Sequence, residues 1–175
     1  MAVWQGDREI EVFNTATEGV GCQIWTPTCW DNSWGTPGYF PDEEEREFGA
    51  WVLDKRPESA PAPGRAVANF PHVLTANLDA LIYEVGRIGT DDLEPLADNN
   101  WTKDFVAGVI EVKTTITETA DEVADRIRQA LGYVPAVRLG LSTDCGLINL
   151  RRMIAFSKLR ALPGGASIVG QDLRG

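Results

Sequence analysis

The distribution of apolar and polar residues along the chain predicts four β-strands interspersed with helices. The strands are short runs of apolar, β-branched or aromatic residues, at 22–26, 80–85, 105–112 and 137–142. The helices are segments with apolar residues at helical spacing, at 7–17, 120–131 and 150–160. Strands that are continuously apolar and alternate with helices are typical of an α/β protein with a parallel sheet covered by helices. Four such units make up half of a TIM (β/α)8 barrel.

Individual residues predict where some of these elements begin and end. Thr119 is a suitable N-cap for the helix at 120–131, because its hydroxyl can accept a hydrogen bond from the first helical turn. Pro27 is expected to end the first strand, since proline has no N–H group to donate to the sheet. The Gly-rich segment that begins at Pro163 is expected to be mobile.

The composition is that of a globular protein and argues against several classes of partner. The 175 residues are 43% hydrophobic and carry a formal net charge of −10. A chain this acidic repels phosphate backbones and anionic lipids, so we expect it to bind neither nucleic acid nor a membrane surface. No apolar run approaches the roughly 20 residues that span a bilayer. Residues 1–7 lack the pattern of a signal peptide, so a cytoplasmic location is expected.

The three cysteines, Cys22, Cys29 and Cys145, are an odd number at wide spacing. In a cytoplasmic chain this favours metal-binding, reactive or buried thiols over a disulfide framework. Cys22 lies near the start of the first strand and is expected to be a buried thiol.

A single domain over residues 1–175 is predicted, with a long insertion loop at about 33–70. This stretch is rich in Gly, Pro and charged residues. It is much longer than the roughly 2–6 residues of an ordinary strand-to-helix connection. Because it follows the first strand, we expect it on the functional rim of the sheet, where it would cover a pocket or contact a partner chain.

Residues able to carry chemistry stand where the predicted strands end. These positions are Cys29, Glu84, Lys113, Asp144 and Cys145. In parallel α/β folds the functional residues lie at the carboxyl ends of the strands, so two thiols and a carboxylate point to one rim. Three such ligands plus an open position are the pattern of a catalytic zinc site. Spacing alone leaves a second interpretation open, because isolated cysteines are often buried small hydrophobes.

Four segments resemble the catalytic barrel of the cobalamin-independent methionine synthase superfamily, which includes epoxyalkane:coenzyme M transferases. The segments at 108–113 and 141–147 resemble the end of that barrel, and the sequence Asp-Cys-Gly-Leu at 144–147 is the most specific element. The segment at 81–87 is similar to a family strand that ends in a zinc-binding Glu followed by an Arg. The segment at 14–32 resembles a helix and strand that lead to a His-x-Cys-x-x-Asn motif.

The resemblance implies a zinc site that holds a substrate thiol as a thiolate for attack on an alkyl donor. Cys29, Glu84 and Cys145 match the family's zinc ligands. The family His two residues before the first Cys falls on Pro27, which cannot bind a metal. Asp31 is a candidate replacement for this ligand, and an ordinary acidic residue in a turn is the alternative interpretation.

Three further residues receive roles from the resemblance or from their position. Lys113 stands where methionine synthases carry a His that donates a proton, so it is a candidate general acid. Arg87 could bind a substrate carboxylate or phosphate, or could pair with a nearby acid. Asp144 is expected to orient the loop around Cys145 or to support the metal indirectly.

The resemblance covers the family barrel from just before its fifth strand to beyond its eighth. Four parallel strands expose two edges and one inner face, so we expect another chain to complete the barrel. That partner would be a complementary half-barrel subunit or a second copy of this chain. The leading hypothesis is a subunit of a zinc-dependent alkyl- or methyltransferase. The alternatives are a non-catalytic or regulatory half-barrel partner and a zinc-dependent lyase or hydrolase.

Overall fold

A computed structural model describes residues 7–28, 73–86, 89–90, 93–98 and 101–175 of the chain. Within these ranges four strands and four helices follow one another in the predicted α/β order. They are α1 (Asp7–Thr17), β1 (Trp25–Thr28), β2 (Ala80–Glu84), α2 (Glu94–Asp98), β3 (Asp104–Ile110), α3 (Ala120–Leu131), β4 (Leu139–Thr143) and α4 (Arg152–Asp172). A short 3-10 turn, Ala136–Arg138, precedes β4. The insertion predicted at about 33–70 lies outside the described residues.

The four strands form one parallel sheet in the order β1-β2-β3-β4. This confirms the predicted parallel α/β architecture. The pairing aligns side chains into rows across one face. One row contains Pro27, Ile82, Val106 and Gly140, and the next contains Glu84, Gly108 and Ser142.

The opposite face of the sheet packs against the helices and forms the hydrophobic core. Buried residues of β2 and β3 meet buried residues of α3 there, and the principal ones are Leu81, Tyr83, Phe105, Val109, Val123 and Ile127. Alternation along the strands therefore places Leu81, Tyr83 and Val109 on the helix side and Val106 on the other. The two faces thus receive different residues, as a barrel wall requires.

Burial falls from the centre of the sheet to its edges. All of β3 beyond Asp104 is buried, whereas every residue of β4 is only half-buried. On β1 the Trp25 side chain is 52% exposed. The sheet is therefore well covered along β2 and β3 and poorly covered along the strands at its two sides.

The Thr119 cap on α3 is confirmed in detail. The Thr119 hydroxyl accepts a hydrogen bond from the Glu122 N–H at 3.2 Å, and Glu122 Oε2 accepts one from the Thr119 N–H at 2.7 Å. This reciprocal capping box satisfies two N–H groups that a helix start otherwise leaves unpaired, and such a cap stabilises a helix by about 1 kcal/mol.

Two expectations for proline were wrong. Pro27 does not end the first strand, since β1 continues to Thr28 with Pro27 opposite Ile82. A proline is tolerated there because β1 lies at one side of the described sheet. Pro163 does not begin a mobile tail either, since α4 continues through it to Asp172.

Helix α4 continues beyond Pro163 because it packs closely on α3. A Cβ atom built on Gly164 would lie 2.9 Å from the Ala120 Cβ, and one on Gly165 would lie 2.5 Å from the Val123 Cγ1. The two glycines therefore allow the helix axes to approach. Tertiary packing outweighs the poor helix propensity of this segment.

Cys22 was also predicted wrongly, because it is exposed rather than buried. It lies before β1, outside the hydrogen-bonded ladder. In the described part of the chain, none of the helices is long and apolar enough to cross a membrane.

Candidate active site at the carboxyl ends of the strands

The structure places four of the six predicted site residues, and all four follow or end a strand at the same rim. Glu84 is the last residue of β2, and Asp144 and Cys145 directly follow β4. Lys113 lies three residues beyond the end of β3. Cys29 and Arg87, together with Asp31 and the family-motif region after Thr28, lie outside the described residues.

Glu84 and Lys113 form a fully buried ion pair. Lys113 Nζ donates a hydrogen bond to Glu84 Oε2 at 2.7 Å, and both side chains are 0% exposed. Burying a charge is expensive unless it is paired and hydrogen-bonded, and this contact provides both a partner and a hydrogen bond. Sequence analysis placed both residues on one rim but did not predict that they would pair.

Asp144 joins the end of β4 to the end of β2. Its Oδ1 atom accepts hydrogen bonds from the Gly86 N–H at 2.8 Å and the Val85 N–H at 3.1 Å. Its own N–H donates to the Ile110 carbonyl at 2.8 Å. Asp144 therefore connects the carboxyl ends of three strands.

Gly108 makes this connection across β3 possible. A Cβ atom built on Gly108 would lie 2.7 Å from the Asp144 Cα and 3.0 Å from both its N and Oδ1 atoms. At Gly86 a Cβ atom would lie 2.8 Å from the Glu111 N and 3.0 Å from each carboxylate oxygen of Asp144. Both glycines give the Asp144 carboxyl room to reach β2. A glycine inside an otherwise apolar strand was the available sequence signal.

The surroundings of Asp144 favour its neutral, protonated form. Burial, which is the largest cause, and the nearby Glu84 carboxylate raise the pKa of Asp144 to about 8. The hydrogen bonds from Gly86 and Val85 and the positive charge of Lys113 lower this pKa but do not outweigh the burial. Glu84, Lys113 and Asp144 therefore form one electrostatically coupled group.

A second buried ion pair holds the segment that carries Lys113. Glu118 Oε2 accepts a hydrogen bond from Lys158 Nζ at 2.9 Å, and Glu118 Oε1 accepts one from the Glu111 N–H at 2.9 Å. Lys158 also donates to the Ile116 carbonyl. Burial acts to raise the pKa of Glu118, but Lys158 and the backbone hydrogen bonds hold it below its ordinary value. The segment between β3 and α3 is thus fastened to α4.

Sequence analysis missed this second pair. Arg126 of α3 also contacts Glu118. Its guanidinium donates hydrogen bonds to Glu118 Oε1 at 3.2 Å and to the Val109 carbonyl at 2.8 Å. Nothing in the spacing of Glu118, Arg126 and Lys158 marks them as partners. Their contact depends on how α4 packs on α3, which one sequence does not reveal.

Two of the three predicted metal ligands, Glu84 and Cys145, lie among the described residues. Cys145 is half-buried, and its carbonyl accepts a hydrogen bond from the Thr143 hydroxyl at 2.8 Å. Within the described ranges no three His, Cys, Asp or Glu side chains are grouped closely enough to hold a metal ion. The donor chemistry of two thiols and a carboxylate nevertheless suits zinc, although Glu84 is already paired with Lys113.

The sequence matches the family described as cobalamin-independent synthase, catalytic domain, over residues 66–166. A 2-hydroxypropyl-CoM lyase from Xanthobacter autotrophicus is 46% identical over 176 residues, which is 95% of this chain and 46% of the lyase. A methionine synthase from Saccharolobus solfataricus is 32% identical over 104 residues, which is 59% of this chain and 31% of the synthase. The chain therefore spans less than half the length of these curated relatives.

A solved structure shares the fold. The B12-independent methionine synthase from Shewanella sp. W3-18-1, in complex with selenomethionine, superposes with a TM-score of 0.71 at 28% identity. The match covers 94% of this chain and 43% of the synthase. The four-stranded parallel sheet and its helices correspond to the C-terminal part of a methionine synthase TIM barrel. On its sequence and its fold, this chain belongs to the family of cobalamin-independent synthase catalytic domains.

Proposed function

We propose that this chain is part of a zinc-dependent enzyme that transfers an alkyl or methyl group to a thiol. The observation that carries the proposal is the buried Glu84 at the end of β2, beside the loop of Cys145, at the position that the family resemblance assigns to a zinc ligand. The relatives support the reaction class. Methionine and 2-hydroxypropyl-CoM are both thioethers, so a carbon–sulfur bond is common to the two kinds of enzyme.

The ligands in this proposal are Cys29, Glu84 and Cys145. Asp144 brings the segments of Glu84 and Cys145 together. It lies next to Cys145 and accepts hydrogen bonds from the two residues that follow Glu84. Cys29 directly follows Thr28, which pairs with Tyr83, the neighbour of Glu84. Zinc bound to these residues would favour the deprotonated form of a substrate thiol near neutral pH.

The other residues would orient the reactants and handle protons. Asp144 holds the ends of β2, β3 and β4 in register and so fixes the positions of Glu84 and Cys145. Lys113 points its ammonium group into the same buried space and would donate a proton to a leaving group. Arg87, three residues after Glu84, would bind an anionic group of a substrate.

A lyase is the second candidate, favoured by the 46% identity to the 2-hydroxypropyl-CoM lyase over nearly the whole chain. In this case the same residues would make or break a carbon–sulfur bond by addition or elimination. A non-catalytic half-barrel partner is the third, because Pro27 stands where the family pattern has a metal-binding His. Turnover that depends on an added thiol would support the first candidate over an elimination or a hydrolysis, which need no thiol, and absence of metal would support the third.

We propose that a complementary half-barrel, either another subunit or a second copy of this chain, covers the two poorly buried sides of the sheet. Trp25 on β1 and the whole of β4 are partly exposed, whereas β2 and β3 are buried. Apolar side chains on α4 are also exposed, with Met153 at 78% and Phe156 at 62%. Further strands beside β1 and β4 and a helix against α4 would bury all of these surfaces.

Metal analysis tests the proposed site. The purified complex should contain about one zinc per site, with Zn–S distances near ~2.3 Å by X-ray absorption. Cys29→Ser, Glu84→Gln and Cys145→Ser should each reduce the zinc content. Cys22→Ser is the matched control, because Cys22 is exposed and lies before β1. Equal zinc contents in all four variants would show that these residues are not the ligands.

A further inference from the structure

We infer that Lys113 is the resident counter-cation of Glu84, and that a divalent metal reaching this carboxylate has to compete with the Lys113 ammonium group. The inference rests on the proposed function, because it concerns how the same site takes up its metal. It assigns Lys113 a role in metal loading that is separate from proton donation to a substrate.

The geometry of the ion pair carries the inference. Lys113 Nζ stands 2.7 Å from Glu84 Oε2, and neither side chain reaches solvent. In such surroundings water cannot screen the charges, so any cation that approaches Glu84 meets the field of Lys113 at nearly full strength. A lysine on the surface would be screened and would move aside easily.

The other ionisable group at this position does not replace Lys113. Asp144 also faces Glu84 and Lys113, but its Oδ1 atom is occupied by the N–H groups of Val85 and Gly86. Asp144 is an acid like Glu84, so the positive charge in this group of three residues is that of Lys113.

The segment around Lys113 is also restrained. The Glu111 N–H and the Ile116 carbonyl on either side of it are bonded to Glu118 and Lys158, respectively. These hydrogen bonds restrain the backbone around Lys113, so the Lys113 side chain has little freedom to move away from Glu84. A metal ion and the ammonium group would have to share one carboxylate, and their mutual repulsion would weaken metal binding.

The test is the zinc dissociation constant of the purified native assembly, measured by competition with a chromophoric chelator. Lys113→Gln keeps a hydrogen-bond donor for Glu84 but removes the charge, and we expect it to bind zinc at least about tenfold more tightly. Lys113→Arg keeps the charge and should stay close to the wild type. Lys103→Gln is the matched control, because Lys103 lies at the opposite end of β3 and donates to the Ala76 carbonyl.

A measurement on the wild-type protein covers the case in which Lys113→Gln does not fold. The 15N resonance of the Lys113 ammonium group should shift when zinc is added, while that of Lys103 should not. Zinc bound without a shift at Lys113, or equal zinc affinities for wild type and Lys113→Gln, would overturn this inference while leaving the proposed function in place. If neither protein binds zinc, the proposed function fails, and this inference fails with it.

Discussion

The substitution Gly108→Ala is expected to push Asp144 away from the end of β2, and so to separate Glu84 from Cys145. The added Cβ would lie 2.7 Å from the Asp144 Cα, whereas non-bonded carbon atoms normally approach to about 3.5–4.0 Å. The Asp144 backbone therefore has to move by the better part of an ångström. Three hydrogen bonds depend on its present position, to Gly86, Val85 and Ile110.

The magnitude follows from these contacts. Overpacking a filled site costs about 1–3 kcal/mol, and each weakened hydrogen bond adds about 0.5–1.5 kcal/mol. Because the backbone relieves part of the clash while it lengthens the bonds, we expect a loss of roughly 2–4 kcal/mol in the free energy of unfolding. Urea denaturation of the native assembly, followed by circular dichroism, measures this loss. Zinc content should fall in the same variant, since Glu84 and Cys145 are neighbours of the residues that move apart.

Gly140→Ala is the matched control for Gly108→Ala. Gly140 is also a strand residue on the same face of the sheet, but the nearest atoms to its Cβ would be those of the Val106 side chain, with a methyl group at 3.0 Å. A methyl group can turn away, so the expected loss is below about 1 kcal/mol. If Gly108→Ala were as stable as Gly140→Ala and kept its zinc, the role given to the Asp144 connection would be wrong.

Three other predictions concern charge and assembly. The folded-state pKa of Asp144 lies above its unfolded value, so the metal-free protein should lose stability as the pH rises from about 4 to 8. Denaturation curves at several pH values measure this loss, and the Asp144→Asn variant should show a weaker dependence of stability on pH. Glu118→Gln should lower the free energy of unfolding by about 3–5 kcal/mol, because it leaves the buried Lys158 charge without its acidic partner. Asp125→Asn, at an exposed ion pair, is the control and should change the free energy of unfolding by less than about 1 kcal/mol. In analytical ultracentrifugation at micromolar concentration the 175-residue chain should sediment as a complex, and a compact, cooperatively unfolding monomer would contradict the half-barrel proposal.

Features set by neighbouring residues were predicted well from the sequence. The bounds of α3 and its Thr119 cap depend on local spacing and local hydrogen bonds, and both are confirmed. Glu84 and Asp144 were assigned to the rim because each stands where an apolar run ends. That assignment needs only the general rule that parallel strands end at one side of the sheet.

Features set by distant contacts were missed or wrong. Pro163 and the two glycines after it argue locally against a helix, and the approach of α4 to α3 is the reason why the helix continues. The pairing of Lys158 with Glu118 joins residues 40 positions apart. Pro27 inside β1 likewise depends on the position of that strand at one side of the sheet. In each case the energetic reason lies in a neighbour that the local pattern does not identify.

The contacts at the rim converge on the end of β2. Lys113 reaches Glu84 from the segment after β3, and Asp144 reaches Val85 and Gly86 from the segment after β4. Both connections lie within this chain, so residues of this chain hold the side of the site that contains Glu84. A partner that covers β1 and β4 would therefore act mainly on the stability of the sheet. Substitutions at exposed apolar positions such as Phe156 should weaken assembly before they disturb the Glu84–Lys113 pair.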